Sequence, residues 1–166
     1  MGHHIQAFVG TKDAIAELLT PINYQSPYCY DLPQGYWLLL CDYNPFADLV
    51  YQYLQHQQWG LSPNPGDHFI QYAQCNCKQG TVGYIETDYF GGIGRQSAIL
   101  IDKGRADIFL HNSRKHIDME KDSIYPMALT QSPINTILAR IGVQAHGGMD
   151  RFDSIHLSEY REMPPY

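Results

Sequence analysis

The chain has 166 residues, a formal net charge of −6, 44% apolar residues and only 17% charged ones. These totals describe a chain able to bury a core, not a disordered polymer. They argue against a general nucleic-acid binder, which needs clustered Lys and Arg to meet phosphates, and they fit a basic protein partner.

Residues 3–9 alternate Ile5, Ala7 and Val9 with His4, Gln6 and Phe8, a strand pattern with both faces partly apolar. Gly10 breaks it, and Thr11 caps a helix with Ile15, Leu18, Leu19 and Ile22 on one stripe. Pro27 and Pro33 frame an irregular, Tyr-rich connection, and "GYWLLLCD" at 35–42 reads as a buried strand. A second helix opens with Asn44 as N-cap and Pro45 at its first position. Its apolar face is Phe46, Leu49, Val50, Tyr53 and Leu54, and Gly60 stops it. Asp67 caps a third helix with Phe69, Ile70, Ala73 and Cys77 inward.

Strands at 81–90 and 95–102 follow, then a tight turn at 102–105 and a further strand, "ADIFL". Residues 111–130 read as mostly loop. Ser132-Pro133 opens a helix over 134–141 with the stripe Ile134, Ile137, Leu138, Ile141 and Gly142 just past its end. "AHGGMDRF" reads as a loop, and the chain past Leu157 as a polar tail. The order predicts a single α+β domain over 1–166, with a mixed or antiparallel sheet and four helices. Leu18, Leu19, Leu49, Val50, Ile70, Ile137 and Leu138 are expected to be buried.

The cluster Gly91-Gly92-Ile93-Gly94 lies between two strands. A dinucleotide cradle needs G-x-G-x-x-G leading into a helix, and a P-loop needs Gly-Lys-Ser/Thr. Neither is present, so 91–94 reads as a four-residue hairpin connection, with φ > 0 at one or more glycines, and binds no nucleotide. Phe90 then pairs with Arg95. Ile85, Thr87, Tyr89, Gln96, Ala98 and Leu100 share the core face. Tyr84, Glu86, Asp88, Phe90, Arg95, Ser97, Ile99 and Ile101 share the other. Arg95 is diagonal to Asp88, which suits a surface ion pair.

Cys75 and Cys77 form a C-x-C pair, but zinc needs two further ligands at suitable spacing and no second pair exists, so no metal or cofactor is expected. Residues 1–10 lack the basic and apolar regions of an export signal, and no apolar run approaches the roughly 20 residues of a bilayer span. The expectation is a cytoplasmic protein with reduced thiols and no membrane partner.

The segment Tyr84-x-Glu86-x-x-Tyr89-Phe90-Gly91-Gly92-x-Gly94-x-Gln96 resembles one that recurs in small bacterial proteins, followed by a helix similar to "SPINTILARIGV" and an end similar to "DRFDSIHLSEYR". The resemblance covers about the second half of the chain and carries no catalytic residue with it. Some such proteins resemble the immunity partners encoded beside polymorphic toxins. This implies a non-enzymatic protein that binds a toxin. The expected contact residues, Glu86, Asp88 and Tyr89, come from the local pattern instead: two carboxylates to meet a basic partner and a Tyr beside the glycine connection. The glycine connection can carry that hairpin end beyond the sheet, with tyrosines as contact anchors. The alternatives are a small hydrolase or transferase using Glu86, Asp88 or a His, and a structural or regulatory dimer without ligand. The oligomeric state is left open.

Overall fold

The computed structural model describes residues 3–25, 28–41, 45–58, 60, 65–90, 93–114 and 132–161, with the backbone alone at 3, 65, 89–90, 93, 107–114 and 161. Its strands are β1 (His3–Thr11), β2 (Cys29–Asp31), β3 (Tyr36–Leu40), β4 (Thr81–Phe90), β5 (Ile93–Asp102) and β6 (Arg105–Arg114). They form one six-stranded sheet in the order β2-β3-β1-β4-β5-β6. Every neighbouring pair is antiparallel.

Both faces of this sheet are core. Alternation in β1 sends Ile5, Ala7 and Val9 to one side, with Leu38, Leu40, Ile85, Ala98 and Leu100. Phe8 goes to the other side, with Leu39, Val82, Tyr84, Ile99 and Ile101. Helices α1 (Lys12–Leu19), α2 (Phe46–His56) and α3 (Pro65–Asn76) supply residues to the Phe8 core. Helices α4 (Pro133–Ile141) and α5 (Arg151–Ser154) and the 3-10 turn Leu157–Arg161 supply the Ile5 core. The expectation of a single core face on the hairpin is therefore corrected. Apolar runs such as "AILI" at 98–101 are continuous because alternate residues feed opposite layers.

The hairpin register also differs. Asp88 pairs with Arg95, Tyr89 with Gly94 and Phe90 with Ile93, so Ile93 and Gly94 belong to β5. Gly91 and Gly92 lie outside the described residues. The shift from the expected Phe90–Arg95 pairing is two residues, which leaves each side chain on its expected face. The tight turn at 102–105 is as expected: Lys103 (φ 48°) and Gly104 (φ 81°) are both left-handed, which suits a two-residue hairpin whose twist matches the strands.

Thr11 caps α1, its hydroxyl accepting from the Ala14 amide at 3.4 Å. Ser132 caps α4, and Gly142 ends it at φ 100°. Other boundaries move. Pro45 is the N-cap of α2 instead of its first residue, and Asn44 lies outside the described residues. That helix ends at His56, before Gly60. Pro65 opens α3, ahead of Asp67, where a missing N–H costs nothing. The short edge strand β2 runs through the connection read as irregular, and β6 continues to Arg114. Residues 115–130 of the expected loop lie outside the described residues. A single helical turn, α5, occupies part of the second expected loop, and the four expected helices are all present beside it. Leu18, Val50, Ile137 and Leu138 are buried, whereas Leu19, Leu49 and Ile70 sit half-buried at the rims of their helices. Among the described residues no helix is long and apolar enough to cross a membrane.

Candidate functional site

Strand pairing brings the expected carboxylates into a polar strip. Asp88 lies between His4 on β1 and Arg95 on β5, and Glu86 between Gln6 and Ser97. All six share the sheet face that carries Phe8, Tyr84 and Ile99 further along the strands. Asp88 and Arg95 are exposed, and His4, Gln6, Glu86 and Ser97 are half-buried. Two residues along one strand, the carboxylates of Glu86 and Asp88 leave the backbone roughly 6–7 Å apart. Arg95 is directly opposite Asp88 instead of diagonal to it. Opposite charges facing across a ladder stabilise the pairing weakly.

Helix α3 begins beside this strip. A Cβ added at Gly66 would come within 3.4 Å of the Tyr84 hydroxyl and 3.6 Å of Glu86 Oε2. The Glu86 carboxylate thus faces the first turn of a helix, where the macrodipole favours negative charge. The side chain of Tyr89 lies outside the described residues; its backbone pairs with His3 on one side and Gly94 on the other. Strands β1 and β6 accompany the hairpin to that point, pairing His3 with Tyr89 and Arg114 with Gly94. The described part of the hairpin is therefore paired on both sides as far as Tyr89 and Gly94.

The described tyrosine side chains serve mainly as core and core edge. Tyr72 is fully buried and donates to the Leu18 carbonyl at 2.6 Å, satisfying an orphan acceptor at the end of α1. Tyr36 does the same for Ile141 at the end of α4, at 2.9 Å. Phe46 gathers Tyr24, Phe69 and Tyr72 at ring distances of 6.1, 6.0 and 6.3 Å. Among the described tyrosine side chains only Tyr51 is exposed, at 41%.

Two polar clusters were not anticipated. Glu17 on α1 accepts three successive backbone N–H groups: Lys78 at 2.6 Å and Gln79 at 2.8 Å on Oε1, and Gly80 at 3.0 Å on Oε2. In sequence these groups are about sixty residues apart and nothing marks them as partners. The second cluster joins α4 to α5. Ser132 accepts from the Asn135 amide at 3.2 Å and its side-chain Nδ2 at 3.0 Å. Asn135 Nδ2 also reaches Asp150 at 2.9 Å, and its Oδ1 accepts the Phe152 amide at 3.0 Å. Asp150 in turn caps α5 through the Asp153 amide at 2.9 Å. The segments "SPINTILARIGV" and "DRFDSIHLSEYR" are thus partners in one interlocked cap.

All four cysteines are free thiols. Burial pushes Cys29 up to about 11 and, with the Glu17 carboxylate adding to it, Cys77 up to about 12; burial also raises Cys75. A thiol held protonated is a poor nucleophile and a poor metal ligand. Among the described residues no group of three or more His, Cys, Asp and Glu side chains is placed to hold a metal ion.

Fold and site together define an antiparallel α+β protein with helices on both faces of one sheet and a carboxylate-bearing polar strip at one end of it. No protein-family model, no curated protein and no solved structure matches the chain.

Proposed function

We propose that this is a non-enzymatic bacterial binding protein whose partner is a basic protein, most concretely a toxin that it neutralises, met in the cytoplasm at the strip around Glu86, Asp88 and Tyr89. The observation that carries the reading is the exposure of Asp88 at a sheet end where three neighbouring strands present polar residues on one face. The net charge of −6 supports steered association with a basic partner. The half-buried Cys29 and buried Cys77 thiols, pushed away from the nucleophilic form, weigh against cysteine chemistry. A hydrolase is the second reading, favoured by His4 standing in register with Asp88. His4→Ala separates the two: it should leave partner binding intact in the first reading and abolish turnover of an ester substrate in the second.

The test is capture of the partner from the producing bacterium, then titration with purified components. A Glu86→Lys, Asp88→Lys double variant should fold, bind more weakly and lose part of the salt dependence, since exposed charges are screened beyond about 8–10 Å at moderate salt. Equal affinity and equal salt dependence would remove the strip from the interface. Failure of the wild type to bind any purified candidate would overturn the binding role itself.

A further inference from the structure

The three amides that hold Glu17 form a preorganised concavity. Successive N–H groups of residues 78–80 converge on one carboxylate at 2.6–3.0 Å, the arrangement by which backbone nests bind anions. Charge-assisted bonds of this kind are about twice as strong as neutral ones.

The turn does not depend on Glu17 alone for its shape. The Cys77 amide donates to Ala73 at 2.8 Å, continuing the last turn of α3. Lys78 Nζ donates to the Gln74 carbonyl at 2.7 Å, and the Lys103 amide donates to the Gly80 carbonyl at 3.0 Å. A Cβ at Gly80 would lie 2.7 Å from Ala14 Cβ and 3.3 Å from Glu17 Oε2, so close approach of α1 requires glycine there. The bonds from Lys78 and Gln79 lie at the solvent edge, so the concavity opens to water.

We infer that residues 78–80 are a carboxylate-binding site in their own right, with Glu17 as the built-in ligand and a small free carboxylate as the ligand taken once that side chain is withdrawn. The inference is independent of the polar strip around Glu86. In Glu17→Ala the atoms removed beyond Cβ are those of acetate, so acetate matches the vacated space and the three donors.

The experiment compares thermal unfolding of wild type, Glu17→Ala and Glu17→Gln in sodium acetate and in sodium chloride at equal ionic strength. Glu17→Ala should melt lower than wild type in chloride. Acetate should restore part of the loss saturably, on the order of millimolar to tens of millimolar for so small a ligand. Wild type and Glu17→Gln should show no acetate-specific gain, because each still fills the site. Equal behaviour of Glu17→Ala in the two salts would overturn the inference. Should Glu17→Ala fail to fold, Glu17→Gln provides the readout. The amide proton resonances of Lys78, Gln79 and Gly80 should all move upfield when the charged acceptor becomes neutral. Unmoved resonances would overturn the inference equally.

Discussion

At the scale of single residues, titratable groups in the core tie stability to alkaline pH. Cys77 is fully buried, and its thiol is raised from an ordinary value of 9.0 to about 12, first by burial and then by Glu17. A raised folded value means that the native state holds its proton more tightly than the unfolded chain. The resulting stability is complete below pH 9 and is lost as pH rises from there towards 12. Tyr72 adds to the same trend above its ordinary value of 10.0, because burial, Tyr53 and Cys75 all raise it. Chemical denaturation should therefore show a falling unfolding free energy above pH 9, approaching about 1.4 kcal/mol per pH unit for each titrating group. Cys77→Ala should make the first part of that fall shallower, the remainder coming from Cys29, which burial also raises, to about 11. A wild-type midpoint constant to pH 11 would mean that Cys77 is accessible in the native state. None of this was legible from the sequence beyond the reading of Cys77 as a small buried hydrophobe, because the Glu17 contact comes from a helix distant in the chain.

At the scale of elements, α4 meets the sheet at a glycine. A Cβ at Gly83 would stand 2.7 Å from Ile137 Cγ2, too close for either to keep its place. Gly83→Ala should cost about 1–3 kcal/mol by overpacking. Combined with Ile137→Ala, which removes that methyl, the loss should be smaller than the sum of the two, because the variants share one contact. Full additivity in denaturant titrations would show that α4 does not press on β4 there. Elements with strong periodicity were legible: the stripe Ile134, Ile137, Leu138 and the caps Thr11 and Ser132 follow from local rules alone. Strand β2 escaped because three residues carry no period and its pairing with β3 is non-local. The helical turn α5 escaped because its N-cap, Asp150, is fixed by Asn135 across the α4–α5 contact. Leu19, Leu49 and Ile70 lie shallower than their stripes imply, because a stripe fixes a helix face but not how far its rim is covered.

At the scale of the molecule, the two helix layers lie on opposite faces of shared strands. In β1, Ile5, Ala7 and Val9 meet the α4 layer while Phe8 meets the α1–α3 layer. In β4 and β5, Ile85, Ala98 and Leu100 stand back to back with Val82, Tyr84, Ile99 and Ile101. The Glu86–Asp88 face was legible from the β4–β5 hairpin alone; its neighbours His4 and Gln6 come from the non-local β1–β4 pairing and were not. Because alternate residues of one strand serve both cores, neither layer can leave without exposing the backs of strands that hold the other. The two layers should therefore unfold together. Leu138 is fully buried in the α4 layer, and truncation to Ala should cost about 2–5 kcal/mol. Rings lie in both layers, those gathered around Phe46 in one and Tyr36, Tyr30 and Tyr160 in the other, so near-ultraviolet circular dichroism reports on the packing of both. In Leu138→Ala that aromatic signal and the far-ultraviolet backbone signal should shift to the same lower midpoint in denaturant. Aromatic and backbone signals that each split into two transitions, one of them left at the wild-type midpoint, would mean that the layers are separate cooperative units.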